Sequence, residues 1–159
     1  MAMVSSGTLS INAAFLQEIK EDNRLLRDLL ERAFGLCTDP RFQRVHPRRL
    51  VELFRELQDQ LAMHFALEEA FGYFDDAIDV APHLSQTACN LRSQHAEFFV
   101  QICDMVDMAE QLLYGETSTH VLWSFSSRFT SFYDQLHQHE ACENELICQA
   151  LDDDIGVGD

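Results

Sequence analysis

The sequence predicts an all-α protein, an antiparallel up-down-up-down four-helix bundle. The chain has 159 residues, which is enough for one domain with a sizeable core and too few for two ordinary domains. It contains only six glycines and three prolines, whereas a β-sandwich or barrel needs many turns and uses more of both. Long stretches instead place apolar residues at the 3.6-residue spacing of a helix. One domain over residues 10–152 is expected, with flexible termini at 1–9 and 153–159.

Four segments carry the helical pattern. Ser10 is a suitable N-cap for the first, and the sequence around Pro40 ends it. Pro47 suits the first turn of the second, and Gly115 ends the third. The connections after the second and third segments are short, so these neighbouring helices are expected to be antiparallel. The predicted spans are 10–36, 47–78, 82–114 and 117–152.

The charge of the chain narrows the range of partners. It carries 27 acidic and 11 basic residues, a net charge of -16, and such a surface repels phosphate backbones and anionic lipid. Nucleic acid and membrane surfaces are therefore not expected as partners. The loop after the first segment holds the one basic cluster, interpreted as a solvated loop that counters the acidic surface. Its members are Arg41, Arg44, Arg48 and Arg49.

The cellular location expected from the sequence is the cytoplasm. The first ten residues have neither the basic region nor the apolar run of a secretory signal, and no stretch of 18 apolar residues is present to span a membrane. The five cysteines are odd in number and form no CxxC pair, which is typical of reduced thiols.

Each apolar stripe is interrupted once by polar residues. The helical period places these residues inside the bundle, where an unpaired polar group costs a few kcal/mol. Counted along the antiparallel helices, all four interruptions fall in one layer within the error of the predicted boundaries. The interruptions are Asn23 in the first segment, His64 and Glu68 in the second, His95 in the third, and His139 and Glu143 in the fourth.

This combination of side chains indicates a metal site. The two pairs with i, i+4 spacing, His64 with Glu68 and His139 with Glu143, each place an imidazole and a carboxylate on one helix face. Together with His95 they form a mixed nitrogen and oxygen set suited to iron, manganese or zinc, and the two carboxylates could bridge two metals. A single such pair is common in helices, and a lone buried histidine is usually hydrogen-bonded core. Two pairs and a third histidine at matched depth favour the metal site.

The remaining histidines and the nearest cysteine are interpreted as outside the site. His137 is two residues from His139 and therefore points away from it. The other three histidines, His46, His83 and His120, fall at helix ends or in loops. Cys142 follows His139 by three residues and is expected to be a small buried hydrophobic residue.

At these residues the sequence resembles the hemerythrin-like (HHE cation-binding) family. The segments 64–69 and 139–146 look like the two HxxxE elements of the family, and the segment 91–95 looks like its third-helix histidine segment. The segment Glu18–Leu30 follows the pattern of the first helix. The resemblance covers nearly the whole chain, from Ile11 to Leu151.

The resemblance implies a two-iron centre that is bridged by two carboxylates and that binds O2 or serves oxygen or iron sensing. Asn23 stands where the family has its first-helix histidine, and neither Leu91 nor Phe99 supplies the second third-helix histidine of the oxygen carriers. One metal would keep His95, His139 and the carboxylates. The other would keep only His64 and the shared carboxylates, so an asymmetric site with one weak, empty or water-completed position is expected.

Two acidic residues beside Asn23, namely Glu21 and Asp22, could compensate for the missing histidine, although both lie off the stripe. Asn23 itself is expected to hydrogen-bond Glu68, Glu143 or a metal-bound water, because a buried amide must satisfy both its oxygen and its nitrogen.

Three functions remain open at this stage. The first is a metal-binding module, with one or two irons, that responds to O2 or another small oxidant or to iron. The second is an iron oxidase or peroxidase-like enzyme, and it ranks low because no catalytic base or nucleophile stands out. The third is a metal-free structural or protein-interaction bundle whose polar layer satisfies itself. Metal content separates the third from the others, and turnover with O2 or peroxide separates the second from the first.

Overall fold

The fold is all-helical in the computed structural model, which describes residues 21–70, 81–115 and 119–157. No strand is present in these ranges, and the predicted fold class is confirmed. Two short 3-10 turns lie between the helices, at Phe42–Arg44 and Pro82–Leu84. The helices are α1 (described over 21–38), α2 (Pro47–Ala70), α3 (Ser85–Leu113) and α4 (Thr119–Val157).

The helix ends differ most from the predicted spans at three places. The helix expected from Pro82 begins at Ser85, because the preceding three residues form a 3-10 turn. The first helix continues to residue 38 and the fourth to Val157, beyond the predicted ends at 36 and 152. Residue 115 is a glycine with φ +108, a left-handed conformation that favours glycine after a helix. Residues 10–20, 71–78 and 117–118 of the predicted segments, and the predicted flexible terminus 1–9, lie outside the described residues.

Helices α2 and α3 are antiparallel neighbours. Near the start of α2, Arg55 donates to Glu110 near the end of α3 at 2.5 Å. Near the end of α2, Glu69 contacts His95 in the first half of α3, at 3.0 Å. Residue numbers therefore fall along α3 as they rise along α2, as the short connection predicts.

Helix α4 packs against α3 and α1 and is antiparallel to both. On α3, Phe98 meets Phe132 edge-on with ring centroids 5.8 Å apart, whereas Met108 lies beside Arg128. On α1, Phe34 stacks on Tyr133 at 4.5 Å, and the hydroxyl of Ser126 donates to the carbonyl of Cys37 at 2.7 Å. These contacts give the up-down-up-down arrangement.

The core consists of two apolar clusters with a polar layer between them. The larger cluster contains Phe54, Phe125 and Phe129, all fully buried, with Phe54 edge-on to the other two at 4.7 and 5.3 Å. Burial of each such ring contributes roughly 1.5–3 kcal/mol. The smaller cluster comprises Ala81, Leu84, Ala88, Leu91, Leu146 and Ala150. On α3 and α4 the larger cluster ends at Phe98 and Leu136, so the residues between the clusters are those of the predicted site.

Among the described residues, no helix combines the length and the hydropathy needed to span a bilayer.

Candidate metal centre

All five predicted ligands lie in the polar layer between the two apolar clusters. Their burial decides the chemistry, because polar groups at this depth are stabilised only when they have a partner. Helical periodicity puts them there, since each replaces an apolar residue on an inward stripe. The exposed fractions are 3% for His64, 4% for Glu68, 4% for His95, 3% for His139 and 5% for Glu143.

Four of the five converge on one point. Glu68, His95, His139 and Glu143 each offer one potential ligand atom, and these atoms lie within 4.8 Å of one another. The Nε2 atom of His95 is 3.3 Å from Oε2 of Glu68 and 3.2 Å from Oε1 of Glu143. The same Oε1 atom is 2.5 Å from Nε2 of His139. Three helices thus contribute two imidazoles and two carboxylates to a single buried group.

His64 stands on the other side of Glu68. Its Nε2 atom is 2.6 Å from Oε1 of Glu68, whereas Oε2 of the same carboxylate faces His95. The Glu68 carboxylate therefore lies between two imidazoles, with one oxygen toward each. The layer has two sides, one formed with His95 and His139 and the other with His64.

Each of the three histidines is oriented from outside by an acceptor at its Nδ1 atom. An Nδ1 atom that faces an acceptor carries the proton, so the Nε2 atom of a neutral ring presents its lone pair to the centre. Metal-binding histidines are held in this way. The pairs are His64 with Asp22 at 2.8 Å, His95 with Glu69 at 3.0 Å, and His139 with Gln94 at 2.7 Å.

Two buried atoms of the cluster make no hydrogen bond to any described residue, namely Oε2 of Glu68 and Nε2 of His139. Both have a potential partner within reach, His95 at 3.3 Å and Glu143 at 2.5 Å, but the groups are not aligned for hydrogen bonding. Both atoms belong to residues of the four-residue group, where a bound cation would satisfy them. The residues present therefore fit a metal ion of the kind bound by imidazole and carboxylate.

The protonation of the cluster is strongly biased. Burial alone would lower the pKa of His64, but hydrogen bonds to Asp22 and Glu68 more than offset it and raise the pKa to about 10. Burial would also lower the pKa of His95, but the carboxylates around this residue raise it to about 9. Burial would raise the pKa of Glu68, yet the neighbouring imidazoles of His64 and His95 lower it to about 2. In the absence of a cation, protonated imidazoles pair with the carboxylates, and a metal must displace those protons.

Asp22, rather than Asn23, is the buried polar residue of α1. Asp22 was expected off the stripe, but it is 6% exposed, accepts from Gln60 at 2.5 Å and holds Nδ1 of His64. Both of its oxygens are engaged, so it orients a histidine instead of replacing a ligand. Asn23 is half-buried and makes no hydrogen bond with any described residue, including the two carboxylates expected to receive it.

A cavity of about 80 Å³ opens between α1 and α4 on the His64 side of the layer. Asn23, Glu68, Glu140 and Glu143 also line it. Glu140 is partly buried, and this burial raises the pKa of its carboxyl. The cavity thus borders the side of the site from which the first-helix histidine is missing.

The residues interpreted as outside the site are exposed. His137 is exposed and packs edge-on against Tyr133, with centroids 4.3 Å apart, but it also lines the rim of the cavity beside the site. The expectation that Cys142 is buried is wrong, because its side chain is exposed. At about 100° per residue, Cys142 lies about 60° from His139 on the side opposite to Glu143, so it leaves the buried face of α4.

Sequence reasoning missed the outer partners Glu69 and Gln94. Both adjoin a predicted site residue in the chain, Glu69 after Glu68 and Gln94 before His95. A polar residue beside a buried histidine or carboxylate on a helix was the available signal, but the stripe pattern assigns such positions to the surface.

The fold and this buried layer define a class of protein, the four-helix bundle with a histidine and carboxylate centre able to hold a metal. The family model described as the hemerythrin HHE cation binding domain matches residues 14–151. The chain therefore belongs to the hemerythrin HHE cation-binding family, and the predicted resemblance is confirmed. No significant match is found among curated proteins or among solved structures.

Proposed function

We propose that this protein binds non-haem iron in the buried layer and serves O2 or iron binding and sensing. The observation that carries the proposal is the four-residue group, in which two buried atoms, Oε2 of Glu68 and Nε2 of His139, make no hydrogen bond to any described residue. An uncompensated buried polar atom costs about 1–3 kcal/mol, and a bound cation removes that cost. Membership of a cation-binding family supports the same interpretation.

The donor set favours iron over softer metals. Imidazole nitrogens and carboxylate oxygens suit iron, manganese and zinc, whereas no thiolate lies in the four-residue group. The Glu68 carboxylate lies between His64 and His95, and that of Glu143 contacts both His95 and His139. A carboxylate that contacts two imidazoles would be placed to bridge two metals. Iron bound here would supply a redox centre able to react with O2 or another small oxidant.

The two sides of the layer would hold metal unequally. The first position has His95, His139, Glu68 and Glu143. The second has His64 and the shared carboxylates, with the neutral amide of Asn23 in place of an imidazole. We expect the second position to bind more weakly.

The chain's own residues create the conditions for this chemistry. The outer acceptors fix the imidazole orientation before a metal arrives, which is worth 10–100-fold in affinity in other metal sites. The apolar clusters above and below keep bulk water from the layer. The cavity of about 80 Å³ has room for a molecule of the size of O2, since a water molecule takes about 30 Å³.

O2 or another small oxidant is the ligand in this proposal, and nucleic acid and membranes are not partners. The net charge of -16 supports the second part. A cytoplasmic setting, in which thiols and iron are kept reduced, completes the proposal.

Metal analysis of the protein purified without a metal-affinity step tests the proposal. Wild-type protein should carry iron, and His139→Ala should lose most of it. His120→Ala is the matched control, because His120 is an exposed histidine on the same helix and should leave the iron content unchanged. Iron-free wild-type protein that also takes up no added ferrous iron would contradict the proposal and favour the metal-free interaction bundle. Rapid turnover of O2 or peroxide by the iron-loaded protein would favour the enzyme.

A further inference from the structure

Helix α4 has two adjacent stripes of side chains, each with polar and apolar members, and only one of them faces the core. The core stripe contains His139 and Glu143. The second stripe lies about 60–100° around the helix and faces α1, as the stacking of Tyr133 on Phe34 shows. Its other members are His137, Glu140 and Asn144, which line the cavity together.

Glu140 is the carboxylate of this second stripe. It lines the same cavity as His64, Glu68 and Glu143, and the charges of those three residues and of His137 act on it. It forms no hydrogen bond or ion pair with any described residue, although it is partly buried. Its oxygens are therefore free to bind a ligand in the cavity.

Resting on the proposed function, we propose that Glu140 is a metal ligand of the second position, together with His64, Glu68 and Glu143. Glu140 occupies, from α4, the side of the site that the missing first-helix histidine would have served from α1. The position then has one imidazole and three carboxylates, whereas the first has two imidazoles and two carboxylates.

Three other polar residues on this side are less suited to the role. Asp22 already uses both oxygens, one on Gln60 and one on His64. Asn23 offers a neutral amide, which binds a divalent cation more weakly than a carboxylate does. Arg27, also at the cavity, is cationic and cannot coordinate a metal. A ligand set rich in carboxylate also makes the second position harder than the first, so manganese should compete better there.

Anaerobic titration of the metal-free protein with ferrous iron tests the assignment, with bound and free iron measured at each step. Wild-type protein should show a tight and a weaker binding event. Glu140→Gln, which keeps the shape and removes the charge, should lose the weaker event and keep the tight one. Glu145→Gln is the matched control, because Glu145 is an exposed glutamate of the same helix and should behave as wild type. Adding Asn23→His to Glu140→Gln should restore the weaker event by supplying a nitrogen ligand from α1.

The failures can be told apart. If Glu140→Gln binds iron with the same number of events and the same affinities as wild type, Glu140 is not a ligand and the proposed function stands. If wild-type protein binds no iron, both the assignment and the proposed function are wrong. Equal melting temperatures of metal-free wild type and Glu140→Gln would show that a lost event is not a folding defect.

Discussion

Replacing His139 should remove most of the stabilisation that a metal gives to this fold. His139 is 3% exposed, donates from Nδ1 to Gln94, and presents its unpartnered Nε2 atom beside Glu143. It is one of the two imidazoles in the four-residue group. His139→Ala thus removes a nitrogen ligand without changing any residue on the other three helices.

The size of the effect follows from mass action. A metal that binds only the native state at a free concentration of 100 times its Kd stabilises that state by about 2.7 kcal/mol. In a domain of this size each kcal/mol raises the Tm by roughly 2–4 °C, so the metal should raise the wild-type Tm by about 5–11 °C. The metal-free variant should itself lose about 1–3 kcal/mol, because Gln94 loses the hydrogen bond from Nδ1 of His139.

Thermal unfolding with ferrous iron and with a chelator measures both effects. His139→Ala should melt at nearly the same temperature in the two conditions, and His120→Ala should keep the full wild-type difference. An equal iron-dependent rise in wild type and His139→Ala would refute the reasoning, since it would place the stabilising metal elsewhere.

Three further predictions concern the same layer. Without metal, the raised pKa of His64 stabilises the fold fully below pH 6.5, the ordinary pKa of histidine, and this stabilisation is lost as the pH rises toward about 10. The lowered pKa of Glu68 stabilises the fold fully above pH 4.5, the ordinary pKa of glutamate, and this stabilisation is lost as the pH falls toward about 2. Chelator-treated protein should therefore be most stable between about pH 4.5 and 6.5 in denaturant titrations, and a His64→Gln variant with an unchanged alkaline limb would argue against this. Asn23→His should tighten the second position and raise iron per chain toward two, measured by elemental analysis of wild type and variant prepared identically. Two tightly held irons in wild type, or no gain in the variant, would show that Asn23 does not replace a lost ligand. Gln94→Leu should weaken iron binding by roughly 10–100-fold through the lost Nδ1 contact of His139, and unchanged affinity would show that this contact does not orient the ring.

The sequence was sufficient to predict which residues of α2, α3 and α4 enter the layer, because helical periodicity fixes the side of the helix on which a residue lies. His95 is the clearest case, since it occupies the inward-facing position between Leu91 and Phe98 on the apolar stripe of α3. The layer position also followed, since antiparallel helices of known rise bring residues to matched depth.

The contacts around the layer were not predictable to the same degree. Asp22 lies one residue from the predicted stripe. Its burial depends on the contacts of its side chain with Gln60 and His64, which the helical period does not show. The start of α3 was missed by three residues, because Pro82 is compatible with the first turn of either a 3-10 or an α-helix. Glu140 was not predicted because only the core-facing stripe of α4 is evident from the apolar pattern. Glu140 belongs to a second stripe of the helix, which borders the cavity.

The most direct measurement is a crystal structure of the iron-loaded protein with anomalous diffraction recorded at the iron edge. The account predicts an anomalous peak inside the bundle, at about 2.0–2.2 Å from the Nε2 atoms of His95 and His139 and from oxygens of Glu68 and Glu143. An iron-saturated crystal with no peak in this layer, in which protonated imidazoles pair directly with the two carboxylates, would contradict it.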